Sequence, residues 1–177
     1  MTEHSNRVAV VTGASRGVGK GVAIALGASG ATIYVTGRSH DEGKRHPLGG
    51  TIQETAEAVT EAGGKGVAVA CDHSDDEQVR RLFEQVDEEQ QRHDILVNNS
   101  TAVPRELAKP GAFWDKSLDL LRILDVGQRS HYVASYFAAP LLTRTGGGLV
   151  VFTSSYGGGC YMHGPAYGAG KAGVDKM

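Results

Sequence analysis

Between Arg7 and Gly30 the chain changes character twice. A β-branched apolar run, R-V-A-V-V-T (Arg7 to Thr12), gives way to Gly13-Ala14-Ser15-Arg16-Gly17-Val18-Gly19, and then to small and apolar residues in a helical pattern. The first run is apolar throughout rather than alternating, which predicts a strand buried on both faces. The third predicts a helix over Val18 to Ala28, stopped by Gly30. Thr32 to Thr36 (T-I-Y-V-T) then reads as a second strand, completing a β-α-β unit. Parallel strands joined in this way need a crossover helix, so the unit predicts an α/β chain built on a parallel sheet.

The turn between the first strand and its helix has a chemical consequence. Glycines let the backbone approach a pyrophosphate, and the helix N-terminus offers it free N–H groups and a positive dipole end. The candidate cofactor-binding residues here are Gly13, Ser15, Arg16, Gly17, Val18 and Gly19. Their spacing, T-G-x-x-x-G-x-G, differs from the commoner G-x-G-x-x-G. A NAD-type site places an acid near the end of the second strand to hold the ribose 2′-hydroxyl. This strand ends instead in Thr36-Gly37-Arg38. A guanidinium suits a 2′-phosphate, which it binds bidentately, and Arg16 is placed to reach the same group. NADP is therefore expected, with NAD as the alternative. Lys44 and Arg45, in the polar stretch His40 to Gly50, are further candidates for the phosphate end.

The rest of the chain alternates in the same way. Thr51-x-x-Glu54 predicts a capping box and a helix to about Ala62, ended by Gly63-Gly64. Val67 to Ala70 is a third strand, leading into Cys71-Asp72-His73. Ser74-x-x-Glu77 predicts a second capping box and a helix to about Arg92, with Val79, Leu82, Phe83 and Val86 as its core face. Ile95 to Val97 is a fourth strand followed by Asn98-Asn99, two amides suited to fixing turns beside a cofactor. Val103 to Phe113 is loop-like. Helices are expected over Trp114 to Leu124 and Val126 to Arg144, broken around Asp125 to Gly127, with Pro140 limiting the second. Leu149 to Thr153 is a fifth strand, and a last helix runs from about Pro165.

That last helix carries Tyr167 and Lys171, four residues apart and so on one face. A phenol ionises near pH ~10 in isolation, and a neighbouring ammonium favours its phenolate. The pair suits proton exchange with a carbonyl oxygen. Ser154 and Ser155, just after the fifth strand, are placed to hydrogen-bond the same oxygen.

Bulk properties exclude several classes. The 177 residues suit one domain with a real core. A net charge of −2 gives no basic surface for nucleic acid or an anionic membrane. The apolar runs are too short to span a bilayer, and Met1 to Arg7 lacks a signal-peptide core. Cys71 and Cys160 make no metal-ligand spacing, which fits free thiols in the reducing cytoplasm.

Taken together, Thr12-Gly13-x-x-x-Gly17-x-Gly19, Asp72, Asn98-Asn99, Ser154-Ser155 and Tyr167-x-x-x-Lys171 resemble the short-chain dehydrogenase/reductase family, over essentially the whole chain. Asp125-Val126-Gly127-Gln128-Arg129-x-His131-Tyr132 further resembles the subgroup of dehydrogenase/reductase family member one. The resemblance implies a Rossmann-like, doubly wound parallel sheet with helices on both faces. It implies an oxidoreductase that moves a hydride between the nicotinamide cofactor and a small-molecule carbonyl or alcohol. Tyr167 would be the acid and base, and Lys171 would lower its pKa and hold the nicotinamide ribose. Asp72 would touch the adenine and Asn98 the ribose side. The usual serine-to-tyrosine interval selects Ser154 as the residue on the substrate oxygen. The strand end and the subgroup select Ser155, which is preferred.

Three departures accompany the resemblance. Asn98-Asn99-Ser100-Thr101 stands where the family often has Asn-Asn-Ala-Gly. Gly127 stands where many members carry an asparagine supporting a water relay to the lysine; His131 is near, and is read as a packed residue rather than a proton carrier. The chain stops at Met177, where a full member would add two strands, a substrate-covering segment and contacts of a homo-oligomer. A fragment of a larger enzyme is therefore expected. The competing readings are a catalytically silent NADP-binding protein and, less well supported, a Rossmann-like methyltransferase.

Overall fold

The computed structural model describes residues 6–39 and 49–177. Its elements run β1 (Val8–Val11), α1 (Gly17–Gly27), β2 (Thr32–Gly37), α2 (Ile52–Glu61), β3 (Lys65–Ala70), α3 (Asp76–Gln90), β4 (Ile95–Asn98), a short α4 (Arg122–Leu124), α5 (Ser130–Arg144), β5 (Leu149–Phe152) and α6 (Pro165–Val174). The strands form one parallel sheet in the order β3-β2-β1-β4-β5. Every residue of β1 is buried, as an all-apolar strand requires. Its side chains alternate between two cores. Val8 and Val10 face Val79, Leu82, Phe83 and Val86 of α3 and Ala134 and Ala138 of α5. Ala9 and Val11 face Ala23 of α1 and Ile52, Ala56 and Val59 of α2. Helices thus cover both faces, and the fold is a doubly wound Rossmann-like sheet.

Thr51 and Glu54 form the reciprocal capping box: Glu54 N donates to Thr51 Oγ1 (3.1 Å) and Thr51 N to the Glu54 carboxylate (3.2 Å). Against the sheet, α2 lies so close that a Cβ on Gly66 of β3 would come within 2.0 Å of Ala56 O. The expected cap on α3 is displaced by one residue. Asp75, not Ser74, accepts from Glu77 N and Gln78 N, because the Ser74 hydroxyl donates to Asp72 Oδ1 (2.7 Å) instead.

Trp114 to Leu124 is not one helix. It forms 3-10 turns at Phe113–Asp115 and Leu118–Leu121 before α4, and Trp114 and Leu118 remain largely exposed. Apolar side chains that find no surface to cover do not stabilise a longer helix. The break expected around Asp125 to Gly127 is a single π-helical turn, Asp125–Arg129, which leads into α5. α5 continues through Pro140, which has no N–H to give the carbonyl of the exposed Tyr136. Arg129 of the π turn and Arg144 of α5 pair with Asp76 and Asp87 of α3 at the surface. Among the described residues no helix is long and apolar enough to cross a membrane.

Candidate active site

The C-terminal ends of β1 to β4 open on a cleft of about 860 Å³. In an open parallel sheet this is where ligands sit, at the point where strand order reverses; here β1 lies between β2 and β4. Gly13, Ser15, Arg16 and Val18 line it from the glycine turn, Arg38 from the end of β2, Asp72 and His73 from the end of β3, and Asn99 to Thr101 from the end of β4.

The glycine turn is tied to the β4 loop from both sides. Asn99 Nδ2 donates to Thr12 O (2.9 Å) and Gly13 O (3.0 Å). Thr12 Oγ1 accepts from Asn99 N (2.9 Å) and Ser100 N (3.0 Å). Gly13 has φ +64, and a Cβ there would lie 2.7 Å from Ser100 Cα, so glycine is required twice over. At Gly19 a Cβ would meet Asn99 Nδ2 at 2.4 Å. Over Gly17 there is open space. The first turn of α1 has no capping side chain and no acid, so its N–H groups face the cleft uncompensated.

Two guanidiniums stand at the mouth. Arg16 is locked in place: Nε donates to Gly49 O (2.9 Å) and Nη2 to Ser39 Oγ (2.8 Å). Burial, and then the like charge of Arg38, hold its pKa below the ordinary arginine value. Arg38 is half exposed and 3.9 Å from Asp72 Oδ2. Burial of Asp72 opposes its ionisation, but hydrogen bonds from Ser74 and the charge of Arg38 prevail, and its pKa lies below the usual carboxylate value. Lys44 and Arg45 lie outside the described residues.

Asn98 is placed differently from what the resemblance implies. β4 extends through it, and strand alternation turns its side chain to the α5 face. There it is fully buried and donates to Ser135 Oγ (3.0 Å). Asn99, the next residue, lines the cleft instead. Gly127 sits in the π turn, where a Cβ would meet Thr101 Oγ1 at 2.9 Å, so a larger residue would first have to turn that hydroxyl aside. His131, one turn on, is packed: it is 1 % exposed and its Nε2 donates to Ser100 O (2.9 Å).

At the next strand end, outside the lining of this cleft, Ser155, Tyr167 and Lys171 come together. Ser155 Oγ lies 2.9 Å from Tyr167 Oη and accepts from Gly157 N at 3.2 Å. Ser154 is exposed, and among the described residues no hydrogen bond joins it to Tyr167. Lys171 Nζ lies 6.0 Å from the Tyr167 ring centroid and donates to Thr153 O (2.9 Å). The lysine is only 8 % exposed; burial lowers its pKa, and Asp175 partly opposes the shift. This arrangement sets a buried ammonium under a phenol whose oxygen is already aligned with a serine hydroxyl.

Three buried histidines give the fold a pH dependence. Burial is the leading cause that lowers His73, His93 and His131 from 6.5 to about 4. Above pH ~6.5 all are neutral in both states and contribute no slope. Between pH ~6.5 and ~4 the unfolded chain binds protons that the folded one refuses, so stability falls as pH falls. Urea unfolding near pH 5 should take up about two to three protons per chain at these positions. An uptake below about one would mean that the three are not held neutral.

The short chain dehydrogenase family model matches residues 7–177. Dehydrogenase/reductase SDR family member 1 of Homo sapiens is 43% identical over 177 residues, which is 98% of this chain and 54% of that protein. A 3beta-hydroxysteroid dehydrogenase of Mediterraneibacter gnavus is 29% identical over the whole chain and 60% of that protein. A crystal structure of a metagenomic short-chain oxidoreductase in complex with NADP superposes with a TM-score of 0.82 at 27% identity, covering 99% of this chain and 74% of the other. The chain spans about half the length of the human protein it matches. By sequence, by sheet topology and by the grouping of serine, tyrosine and lysine, this chain belongs to the short-chain dehydrogenase family.

Proposed function

We propose that the natural full-length protein is an NADP-dependent oxidoreductase acting on a small-molecule carbonyl or alcohol, with Tyr167 as its acid and base. The observation that carries the reading is the 2.9 Å contact between Ser155 Oγ and Tyr167 Oη above a buried Lys171. The cofactor fits the residues present. The uncapped N-terminus of α1 and the open space over Gly17 suit a pyrophosphate, and two guanidiniums that line the same cleft and feel each other's charge suit a further phosphate. The bound nicotinamide supplies or accepts the hydride.

The chain's own residues handle orientation and the proton. Ser155 donates a hydrogen bond to the carbonyl oxygen and fixes it beside Tyr167. Tyr167 O–H gives its proton to that oxygen as the alcohol forms, and takes it back in the reverse direction. Lys171, anchored on Thr153 O, has N–H groups left for the nicotinamide ribose, and its charge favours the phenolate. Asp72 is suited to the adenine end. Arg38 is half exposed and 3.9 Å from Asp72, a long ion pair from which its guanidinium can turn to the 2′-phosphate.

The test is NADPH consumption by the natural full-length protein across a panel of aldehydes and ketones, paired with binding titrations. Arg38→Glu should weaken NADPH binding by at least about tenfold, the worth of one charge-assisted contact, and leave NADH within twofold. Equal NADPH affinity in the variant would remove the phosphate role. Saturable NADPH binding with no turnover across the panel would leave a silent binding protein.

A further inference from the structure

The Tyr167 ring is gripped by two groups that the proton-transfer scheme does not use. On one side lies the backbone of Gly157, where a Cβ would come within 2.4 Å of Tyr167 Cε1. Against it also lies the ring of His163, edge-to-face, with centroids 5.2 Å apart and planes at 85°. His163 has φ +59, the left-handed region that a Cβ disfavours. The other non-glycine residue in that region among those described is Gln91, which ends α3 as its C-cap. His163 ends no helix. It precedes Gly164 (φ +96) and Pro165, the first residue of α6. Left-handed backbone in non-glycine residues gathers at functional sites because it must be held by its surroundings. The consequence here is an exposed imidazole set against a phenol that sits beside Ser155 and above Lys171.

We propose that His163 is a positioning residue for Tyr167: packed edge-to-face on the phenol, it holds the ring in place beside Gly157. This rests on the oxidoreductase reading above. A phenol held at one angle keeps its O–H aligned with Ser155 and with the substrate oxygen, and a small misplacement of a reacting group costs rate steeply.

Two variants test the ring contact. His163→Phe keeps an aromatic ring. His163→Asn tolerates left-handed backbone and removes the ring. In the natural full-length protein His163→Phe should keep reductive kcat within about threefold of the parent, and His163→Asn should lower it about tenfold, with the NADPH Kd unchanged in both. Parent rates in His163→Asn, or an equal loss in both variants, would overturn the proposal. A second readout needs no turnover. In carbon–proton NMR spectra the His163 ring protons should carry a ring-current shift that is retained in Tyr167→Phe, which keeps the ring, and lost in Tyr167→Ala. No change in the His163 signals on Tyr167→Ala would overturn the clamp whatever the turnover. Absence of turnover with that shift present would instead overturn the oxidoreductase reading and leave the clamp standing.

Discussion

Tyr167→Phe should lower turnover by about a thousandfold or more, the scale of a lost general acid, while the NADPH Kd stays within about twofold. The argument is geometric. Phenylalanine keeps the ring that fits against Gly157 and His163, so only the O–H is removed. Ser155 still accepts from Gly157 N. Lys171 is anchored on Thr153 O rather than on the tyrosine, so the lysine stays where it is. The expected signature is therefore a collapse of kcat with little change in cofactor binding, read by stopped-flow absorbance and by fluorescence titration. Turnover near the parent rate would mean that the proton comes from elsewhere. A parallel loss of NADPH affinity would mean that the Tyr167 hydroxyl also holds the cofactor.

The largest effect on stability is expected at Gly66, far from this chemistry. Gly66→Ala places a Cβ 2.0 Å from Ala56 O and 2.6 Å from Ala56 C, backbone atoms that no rotamer change can move aside. Thr60 Oγ1 donates to Ala56 O (3.0 Å) and accepts from Gly66 N (3.1 Å), pinning the two segments together. The variant must push α2 off β3, uncovering Ala56 and Val59 of the core. A cost of about 3 kcal/mol or more follows, at the upper end of overpacking, and a fall in Tm of about 6–12 °C. Gly21→Ala is the matched control. It lies in α1 with open space around it, and alanine is the better helix former, so its Tm should hold or rise by a few degrees. Equal melting of the two variants would mean that α2 does not press on the sheet as closely as described.

Much of this fold is legible in local chemistry. β1, α1 and β2 follow from an unbroken apolar run, a glycine turn and a small-residue helix. The box at Thr51 and Glu54 follows from residue spacing alone, because its two hydrogen bonds are local. The cap on α3 was less legible, since Ser74 and Asp75 are both good capping residues; Asp72 decides between them by engaging Ser74. Trp114 and Leu118 misled in another way, because periodicity tells nothing about whether a surface exists to cover them. The strand phase at Asn98 was in principle readable: counting alternately from Val97, which faces α1 and α2, puts Asn98 on the opposite side. The grip on Tyr167 was not readable. Nothing in His163-Gly164-Pro165 announces left-handed backbone at a histidine, and the role of Gly157 depends on a ring ten residues further along the chain.

The π turn at Asp125–Arg129 sets a rule for chain length. An α-helix advances ~100° per residue, so one residue more or fewer turns everything downstream by that angle. Ser130, His131, Ala134, Ala138 and Leu141 all lie inward in the present phase. Deleting a single residue from within α5 would therefore swing the rest of this stripe off the sheet. The π turn holds one residue more than an α-turn, so a deletion there can close it to a regular helix with His131 still facing Ser100 O. Single deletions should be tolerated up to Arg129 and refused beyond it, although the two stretches adjoin and neither belongs to the proposed reacting groups.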